Sequence, residues 1–489
     1  MAEQSLKDKT IKGTFWSAAD AFLGQGVTFI VGIVLARQLS PEEFGLIGIC
    51  LIFTTVLLGV VDSGFSTALI RKKEVSNDDY NTMFITNMAI SILMFGLLYI
   101  CTPSIAVFFA QPALVDILRV MGLILILQAL SITQVTMLTK RIDFKTKTKA
   151  SLFSAVASGV VGIVMAYCDY GVWSLVGQQL SRQLLYTLCL WLLISWWPCL
   201  KFNRNSFYYM WGFGWKMMLS GILNNAWNQL YQVVVGKFYS AASLGQYTRS
   251  RDFANLFSAN FTAIVQRVTY PALAEIQDDK ERMVEAYRKI IKVSMFITAV
   301  FMISLGAVAE PFIYCLIGPQ WHEAATYLPL ICISMSLYPL HALNLNMLQV
   351  QGRSDVFLYL EIVKKIIYIG PLLLGVFVDI YWMLIGSIIS GIISFFLNSY
   401  YTGKRLGYSS WMQLKDVAPS YVLAFFIAMA VFNLKYLPLS YVSILLLQMT
   451  VGSVALIVVC EITKMEEYKE LKGILLSIKL KIDEFKKRI

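Results

Sequence analysis

Residues 44–69 read FGLIGICLIFTTVLLGVVDSGFSTAL, with a single charged side chain, Asp62. At a helical rise of about 1.5 Å per residue, this run is long enough to cross a hydrocarbon core of about 30 Å. Comparable stretches surround it, at 14–36, 83–109, 113–138, 150–168, 172–197, 213–236, 250–270, 291–317, 324–350, 356–378, 380–402, 417–436 and 440–461. Fourteen such runs predict an all-α polytopic membrane protein. No connecting loop is large enough for a soluble catalytic domain, so the function is expected inside the helix bundle.

Composition points the same way. Of 489 residues, 57% are hydrophobic and 15% charged, against about a quarter charged in ordinary soluble chains. The net charge of +11 does not predict a nucleic-acid partner, because the basic residues sit in short loops between spans, where they orient a membrane protein. With the N-terminus inside, one side of the membrane collects Lys7, Lys9 and Lys12, Arg71 to Lys73, Lys140 to Lys149, Lys201 and Arg204, Lys280 to Lys289, and Lys404 to Lys415. The other side holds few, chiefly Lys237, Lys435, Arg37 and Arg249. The positive-inside rule then puts both termini in the cytoplasm, with an even number of spans. The first apolar run is too long for a signal-peptide core and is expected to remain as a transmembrane helix.

The chain repeats itself at an offset of 200 residues. Leu35–Ala36–Arg37 and Val235–Gly236–Lys237 each end a long apolar run with a basic residue, and Gly45 and Gly245 each open the next helix. Phe15 pairs with Trp215 and Gln25 with Asn225 at the same spacing. The pattern suggests two parallel lobes of six helices, residues 1–200 and 201–405, then two additional helices at 406–462. Parallel repeats about an axis along the membrane normal are a common transporter plan. The tail at 463–489 places Leu471, Ile474, Leu475, Ile478, Ile482 and Phe485 on one face among lysines, as in an amphipathic helix on an anionic inner leaflet. A second surface helix is expected over Leu273–Lys292.

Charges inside spans carry the functional signal, since each costs about 2.5–3.5 kcal/mol at a helix centre on insertion scales. The basic candidates are Arg182, Arg249, Arg251, Arg267, Lys364 and Lys365; the acidic and polar ones are Asp20, Asp62, Asn225, Asn228, Asp252 and Glu361. Two readings stand for Asp62, which lines a cavity or bends the helix at Ser63–Gly64. Two stand for Glu361, Lys364 and Lys365, an ion-paired helix entry or a cavity lining. Arg119 and Lys216 are placed to snorkel, and His341 is a conceivable proton relay. Deep basic residues outnumber acidic ones, so the expected cavity attracts anions, and guanidinium forks suit phosphate oxygens. Asn224, Trp227 and Tyr231 could contact sugars, while Trp211 and Trp215 suit an interfacial belt. The eight cysteines are scattered singly, without metal-ligand spacing; neither a metal nor a cofactor is expected.

Leu35–Ala36–Arg37–Gln38–Leu39–Ser40–Pro41–Glu42–Glu43–Phe44–Gly45 resembles the first outer loop of polysaccharide (O-antigen and colanic-acid type) flippases. Val61 to Ile70, Leu244 to Arg251 and Gly318 to Ala325 resemble three further segments of that family, in both halves of the chain. The resemblance implies fourteen helices of the multidrug, oligosaccharidyl-lipid and polysaccharide exporter superfamily, and a bacterial inner-membrane location. It implies transport of undecaprenyl-pyrophosphate-linked oligosaccharide to the periplasmic leaflet by alternating access. A polysaccharide polymerase and chain-length machinery are the implied protein partners. Three other readings are a cation-coupled multidrug exporter, which calls for an acidic cavity; a membrane-embedded polymerase or glycosyltransferase, which calls for a large outer loop; and a lipid II flippase, which shares architecture and substrate charge.

Overall fold

The computed structural model describes the backbone of residues 2–473 and 476, and the side chains from residue 16 onward except 17–19, 21 and 405. Of the amphipathic tail, Ile474, Leu475, Ile478, Ile482 and Phe485 lie outside the described residues. Among those described, the regular structure is helical throughout, with no strand. In chain order the helices are α1 (Ala2–Gln38), α2 (Pro41–Asp62), α3 (Phe65–Arg71), α4 (Asn77–Phe109), α5 (Leu114–Met121), α6 (Leu123–Lys140), α7 (Phe144–Tyr167), α8 (Val172–Leu193) and α9 (Arg204–Phe238). They continue as α10 (Ala241–Glu275), α11 (Lys280–Ala307), α12 (Ala309–Leu316), α13 (His322–Ser336), α14 (Tyr338–Val350), α15 (Ser354–Phe377), α16 (Ile380–Leu406), α17 (Ser410–Phe432) and α18 (Tyr441–Thr463).

Each of the fourteen apolar stretches lies mainly on helix, the one at 172–197 running four residues past the end of α8, and four of them divide into two α-helices. The run at 44–69 divides at Ser63 and Gly64, both left-handed (φ 51° and 68°). The run at 113–138 divides at Gly122, that at 291–317 at Val308, and that at 324–350 at Leu337. The surface helix expected over Leu273–Lys292 is corrected: α10 ends at Glu275, Asp279 caps α11, and Lys280 begins one continuous helix to Ala307. The apolar residues that suggested a surface helix, Leu273, Met283, Tyr287 and Ile291, are buried in a protein core instead.

Helix starts follow from short polar side chains placed ahead of apolar runs. The Ser40 N–H donates to Glu43 Oε2 at 2.7 Å while the Glu43 N–H donates back to the Ser40 hydroxyl, with Pro41 in the first turn of α2. Ser76 and Asp79 form the same reciprocal cap on α4. Asp143, Asn203, Asp379, Ser409 and Ser440 cap α7, α9, α16, α17 and α18. Each cap supplies an acceptor to an otherwise orphaned backbone N–H, at about 1 kcal/mol.

The chain divides into two compact units, Met1–Thr248 and Arg249–Ile489. In the first, α1 packs on α7, α7 on α8, α4 on α6, and α9 against α2, α3 and α4. In the second, α11 packs on α17 and α13, α15 on α16, and α12 on α18. Both units are inside-out relative to a water-soluble protein. Asn87, Ser91, Thr102, Thr133, Gln134 and Asn398 are buried, whereas Leu192, Val107, Phe377 and Ile100 are 75–85% exposed. Apolar surface on this scale needs a lipid solvent. Buried hydroxyls settle on helix carbonyls one turn back, as Thr54 does on Cys50 (3.0 Å) and Thr298 on Ser294 (2.9 Å).

Within the first unit the tightest approach joins the starts of α2 and α10. A Cβ on Gly45 would stand 1.7 Å from the Ala241 carbonyl oxygen, and one on Gly245 would stand 1.9 Å from that of Pro41. These are the two glycines related by the 200-residue repeat, and each meets the other's helix backbone. Gly45→Ala and Gly245→Ala are therefore expected to cost about 1–3 kcal/mol or more each, because backbone cannot rotate away as a side chain can. Gly26→Ala and Gly96→Ala, with open space around the added methyl, should be neutral or slightly stabilising. Thermal unfolding of the four variants in detergent, followed by size-exclusion recovery, separates the pairs.

Candidate functional site

Ten of the twelve sequence-derived candidates lie on four helices. Arg182 is on α8; Asn225 and Asn228 are on α9; Arg249, Arg251, Asp252 and Arg267 are on α10; Glu361, Lys364 and Lys365 are on α15. Nine segments among the described residues are long and apolar enough to cross a membrane by themselves, and none of these four helices is among them. They need protein neighbours to be stable at membrane depth.

In the first unit α1 and α8 bring Asp20 and Arg182 together. The Arg182 Nη1 donates to the Thr28 hydroxyl at 3.1 Å, and the Thr28 hydroxyl donates to the Gly24 carbonyl at 2.8 Å. The Asp20 carboxylate is near enough for its charge to act on Arg182 and Tyr186. Gly24 lies beside Asp20 and Ser151 of α7, with room for a methyl group in ordinary contact. The second acid, Asp62, ends α2. It accepts from Ser66, which in turn accepts from Thr136 of α6 at 3.0 Å. The chain α2–α3–α6 is thus fastened where the helix bends. Next to it, a Cβ on Gly64 would lie 2.4 Å from the Gly214 carbonyl of α9. Asn225 packs over Gly59 of α2, and Asn228 is exposed on α9.

In the second unit Arg249 Nη1 lies 3.9 Å from Asp252 Oδ2, and both Arg249 and Arg251 act electrostatically on that carboxylate. Arg267 is exposed and lies sixteen residues beyond Arg251 on the same helix, about 24 Å away at helical rise. On α15 the Lys364 ammonium bonds the Glu361 carboxylate, and Lys365 is half-buried. Lys364 also acts on His341 of α14, whose Nδ1 is 3.5 Å from the Asn398 amide of α16. The structure therefore assembles three charge groups, each containing acid as well as base.

A fourth group escaped sequence reading. Asp416, at the start of α17, is 6% exposed along its side chain and receives the fork of Arg288, with Nη2–Oδ1 at 2.7 Å, and the Tyr408 hydroxyl at 2.8 Å. Lys292 stands 4.0 Å from Asp416 and 3.0 Å from Glu466, and Lys289 is 2.8 Å from Glu470. These pairs tie the helical residues 466–473 to α11 and α17. The hydrogen bond from Lys292 holds Glu466 below the usual carboxylate range. In the first unit Lys72 binds the fully buried Asp79 at 2.7 Å, and Lys140 donates to the Leu69 carbonyl at 3.0 Å. Arg288, Lys72 and Lys140 read in the sequence as orienting loop charges; the structure adds a fastening role that a sequence partner 7, 71 or 128 residues away does not announce.

The fold is that of a multi-pass membrane transporter. It superposes on the lipid II flippase MurJ in its inward closed conformation with a TM-score of 0.71, covering 94% of this chain and 99% of that one at 14% identity. Residues 34–326 match the family of polysaccharide biosynthesis proteins, and the chain belongs to that family. It is 25% identical to the succinoglycan biosynthesis transport protein ExoT of Rhizobium meliloti, over 76% of this chain and 75% of that protein. It is 22% identical to the lipopolysaccharide biosynthesis protein WzxC of Escherichia coli, over 76% of each.

Asp416→Ala is expected to destabilise the second unit by about 2–3 kcal/mol, below the loss for a wholly buried pair because Arg288 is half exposed. Unfolding in detergent measures it. Glu466 has a lowered folded pKa, so its contribution to tail docking is complete above the unfolded value near 4.3 and fades as pH falls through the lower folded value. Protease cleavage after residue 464 should accelerate in that acidic window, and Glu466→Gln should remove the acceleration.

Proposed function

We propose that this protein is a flippase that carries polyprenyl-pyrophosphate-linked oligosaccharide from the cytoplasmic to the periplasmic leaflet of a bacterial inner membrane, for surface polysaccharide synthesis. Family membership and the transport role in the name of the Rhizobium relative support a transporter of polysaccharide precursors. The observation that carries the reading is the gathering of the candidate residues on α8, α9, α10 and α15, the helices too polar to stand alone in lipid. A bilayer keeps such helices only where they face protein or water.

In this reading the lobes at 1–200 and 201–405 rock about a hydrated path, with the pair at 406–462 attached and both termini cytoplasmic. Arg182, Arg249, Arg251, Arg267, Lys364 and Lys365 attract the pyrophosphate. Asp20, Asp62, Asp252 and Glu361 balance those charges when the path is empty, and Asn225 and Asn228 meet sugar hydroxyls. The bond of Arg182 to Thr28, the nearby charge of Asp20, and the bond of Lys364 to Glu361 keep the cations ordered between transport events. An arriving pyrophosphate competes with a carboxylate for the same donors. A polymerase and chain-length machinery would take the product on the far side.

Arg182→Ala and Arg251→Ala are each expected to lower surface-polysaccharide export about 10- to 100-fold at matched membrane levels. That range is the loss of one charge-assisted hydrogen bond set, about 1.5–3 kcal/mol. Lysine at either position should retain part of the export, since charge survives and the fork does not. Wild-type export from both alanine variants would sink the assignment.

A further inference from the structure

The first unit contains an apolar cleft of about 660 Å³ between α2, α4 and α9. None of the sequence-derived candidates lines it. Its walls include Phe53 and Val56 from α2, Leu97 and Phe108 from α4, and Leu230 and Val233 from α9. The one amide among its lining residues, Gln229, is engaged through its oxygen by Gln232 at 2.6 Å. The volume lies within the range of small-molecule sites, about 300–1,000 Å³.

The cleft has a direction. Its α9 lining recurs at 226, 229, 230 and 233, one helical face, and Lys237 continues that face one turn further. The α4 lining runs from Leu97 to Phe109, about 18 Å at helical rise. Where it ends, the Lys237 ammonium donates to the Phe108 carbonyl and lies 4.5 Å from that residue's ring centre. Among the described residues no carboxylate pairs with Lys237. Gly236 brings the two helices close at this end, because a Cβ there would stand 3.1 Å from the Phe109 ring. One exposed ammonium therefore stands against the Phe108 wall of the apolar cleft, one helical turn beyond its last α9 lining residue.

We infer that this cleft seats the isoprenoid chain of the lipid carrier, with its phosphate at Lys237. The inference rests on the flippase reading and adds a tail site to it. The charge pattern selects the occupant: a single apolar chain ending in phosphate matches an apolar cleft with one cation against its wall. A phospholipid brings two chains and a glycerol backbone, and the competition experiment below separates it from the polyprenyl carrier. The site is distinct from the charged residues assigned to the head group; its α2 and α4 walls belong to the proposed lobe at 1–200 and its α9 wall to the lobe at 201–405. By the positive-inside argument, the Lys237 end faces the periplasm, which makes this the seat of the carrier after translocation.

The test uses the full-length protein in nanodiscs with a photoreactive benzophenone side chain in place of Leu230, and tritiated polyprenyl diphosphate as probe. A second protein carries the benzophenone in place of Val160, an exposed residue of α7, to set the lipid-contact background. Capture at position 230 should exceed that background, fall at least about tenfold with excess unlabelled polyprenyl diphosphate, and persist with the same excess of phosphatidylglycerol. Lys237→Glu should lower capture by about tenfold, the effect of one charge-assisted bond of roughly 1.5 kcal/mol, and Lys237→Arg should keep it. Equal competition by phosphatidylglycerol, or capture indifferent to Lys237→Glu, would overturn the assignment and make the cleft ordinary lipid contact. Total probe binding to the unmodified protein separates the two levels. Binding without capture at 230 defeats the cleft alone; no binding anywhere defeats the flippase reading with it.

Discussion

Close backbone contact at glycine is the interaction on which the first unit depends. Lipid tails are as apolar as leucine, so helices in a bilayer gain little by hiding apolar side chains from their solvent. What holds them is dispersion at short range, and that requires small residues where axes cross. Gly45 and Gly245 let α2 and the start of α10 meet backbone to backbone, and Gly64 does the same against Gly214 of α9. On α7, Gly159 and Gly162 leave no room for a Cβ beside Val31 of α1 and Gln178 of α8. The largest packing contacts of this unit, α7 with α8 and α1 with α7, run through those two positions.

Charge is the second constraint, and the two classes of ionisable residue meet it differently. Asp79 and Asp416 are buried acids, each held by a base and by hydroxyls or backbone at short range, and they close the ends of helices. Asp252 is half exposed and lies 3.9 Å from Arg249, with the charge of Arg251 also acting on it. A tight bidentate pair resists exchange because breaking it strands a buried charge. A loose pair beside exposed surface exchanges partners at little cost. That difference in distance and burial separates the fastening acids Asp79 and Asp416 from Asp252, whose contact with Arg249 is the looser one.

Much of this was legible from residues alone, for physical reasons that also explain the rest. Long apolar runs specify helices because backbone in lipid must satisfy itself, and each of the fourteen runs lies mainly on helix. The 200-residue spacing of Gly45 and Gly245 was readable because close contact admits one residue type. The break at Ser63–Gly64 was readable as a bend; the breaks at Val308 and Leu337 are signalled more weakly, by Pro311 and Pro339 in the first turn of the helix that follows each. The pairing of Arg288 with Asp416 was not readable: the partners are 128 residues apart, and both sit among loop charges whose orienting role already accounts for them. The surface helix expected over Leu273–Lys292 failed for a related reason. An apolar stripe with lysines around it looks the same whether the stripe faces a headgroup layer or a neighbouring helix, and here Tyr287 and Ile291 face a core.

The repeat bears on the cleft as well as on the crossing. Arg37 and Lys237 occupy equivalent places, each closing a long helix two turns before a crossing glycine. A cation at a helix C-terminus is favoured by the helix dipole and by the unsatisfied carbonyls there, which accounts for both positions without reference to any ligand. It does not account for the neighbours. Lys237 takes its carbonyl from α4 rather than from its own last turn, and it stands over a ring that belongs to the cleft wall. A lysine needed only to cap α9 would be served by the carbonyls of α9. Its reach across to α4 places the charge against Phe108, a wall residue of the apolar cleft, which is the placement that the proposed phosphate contact requires.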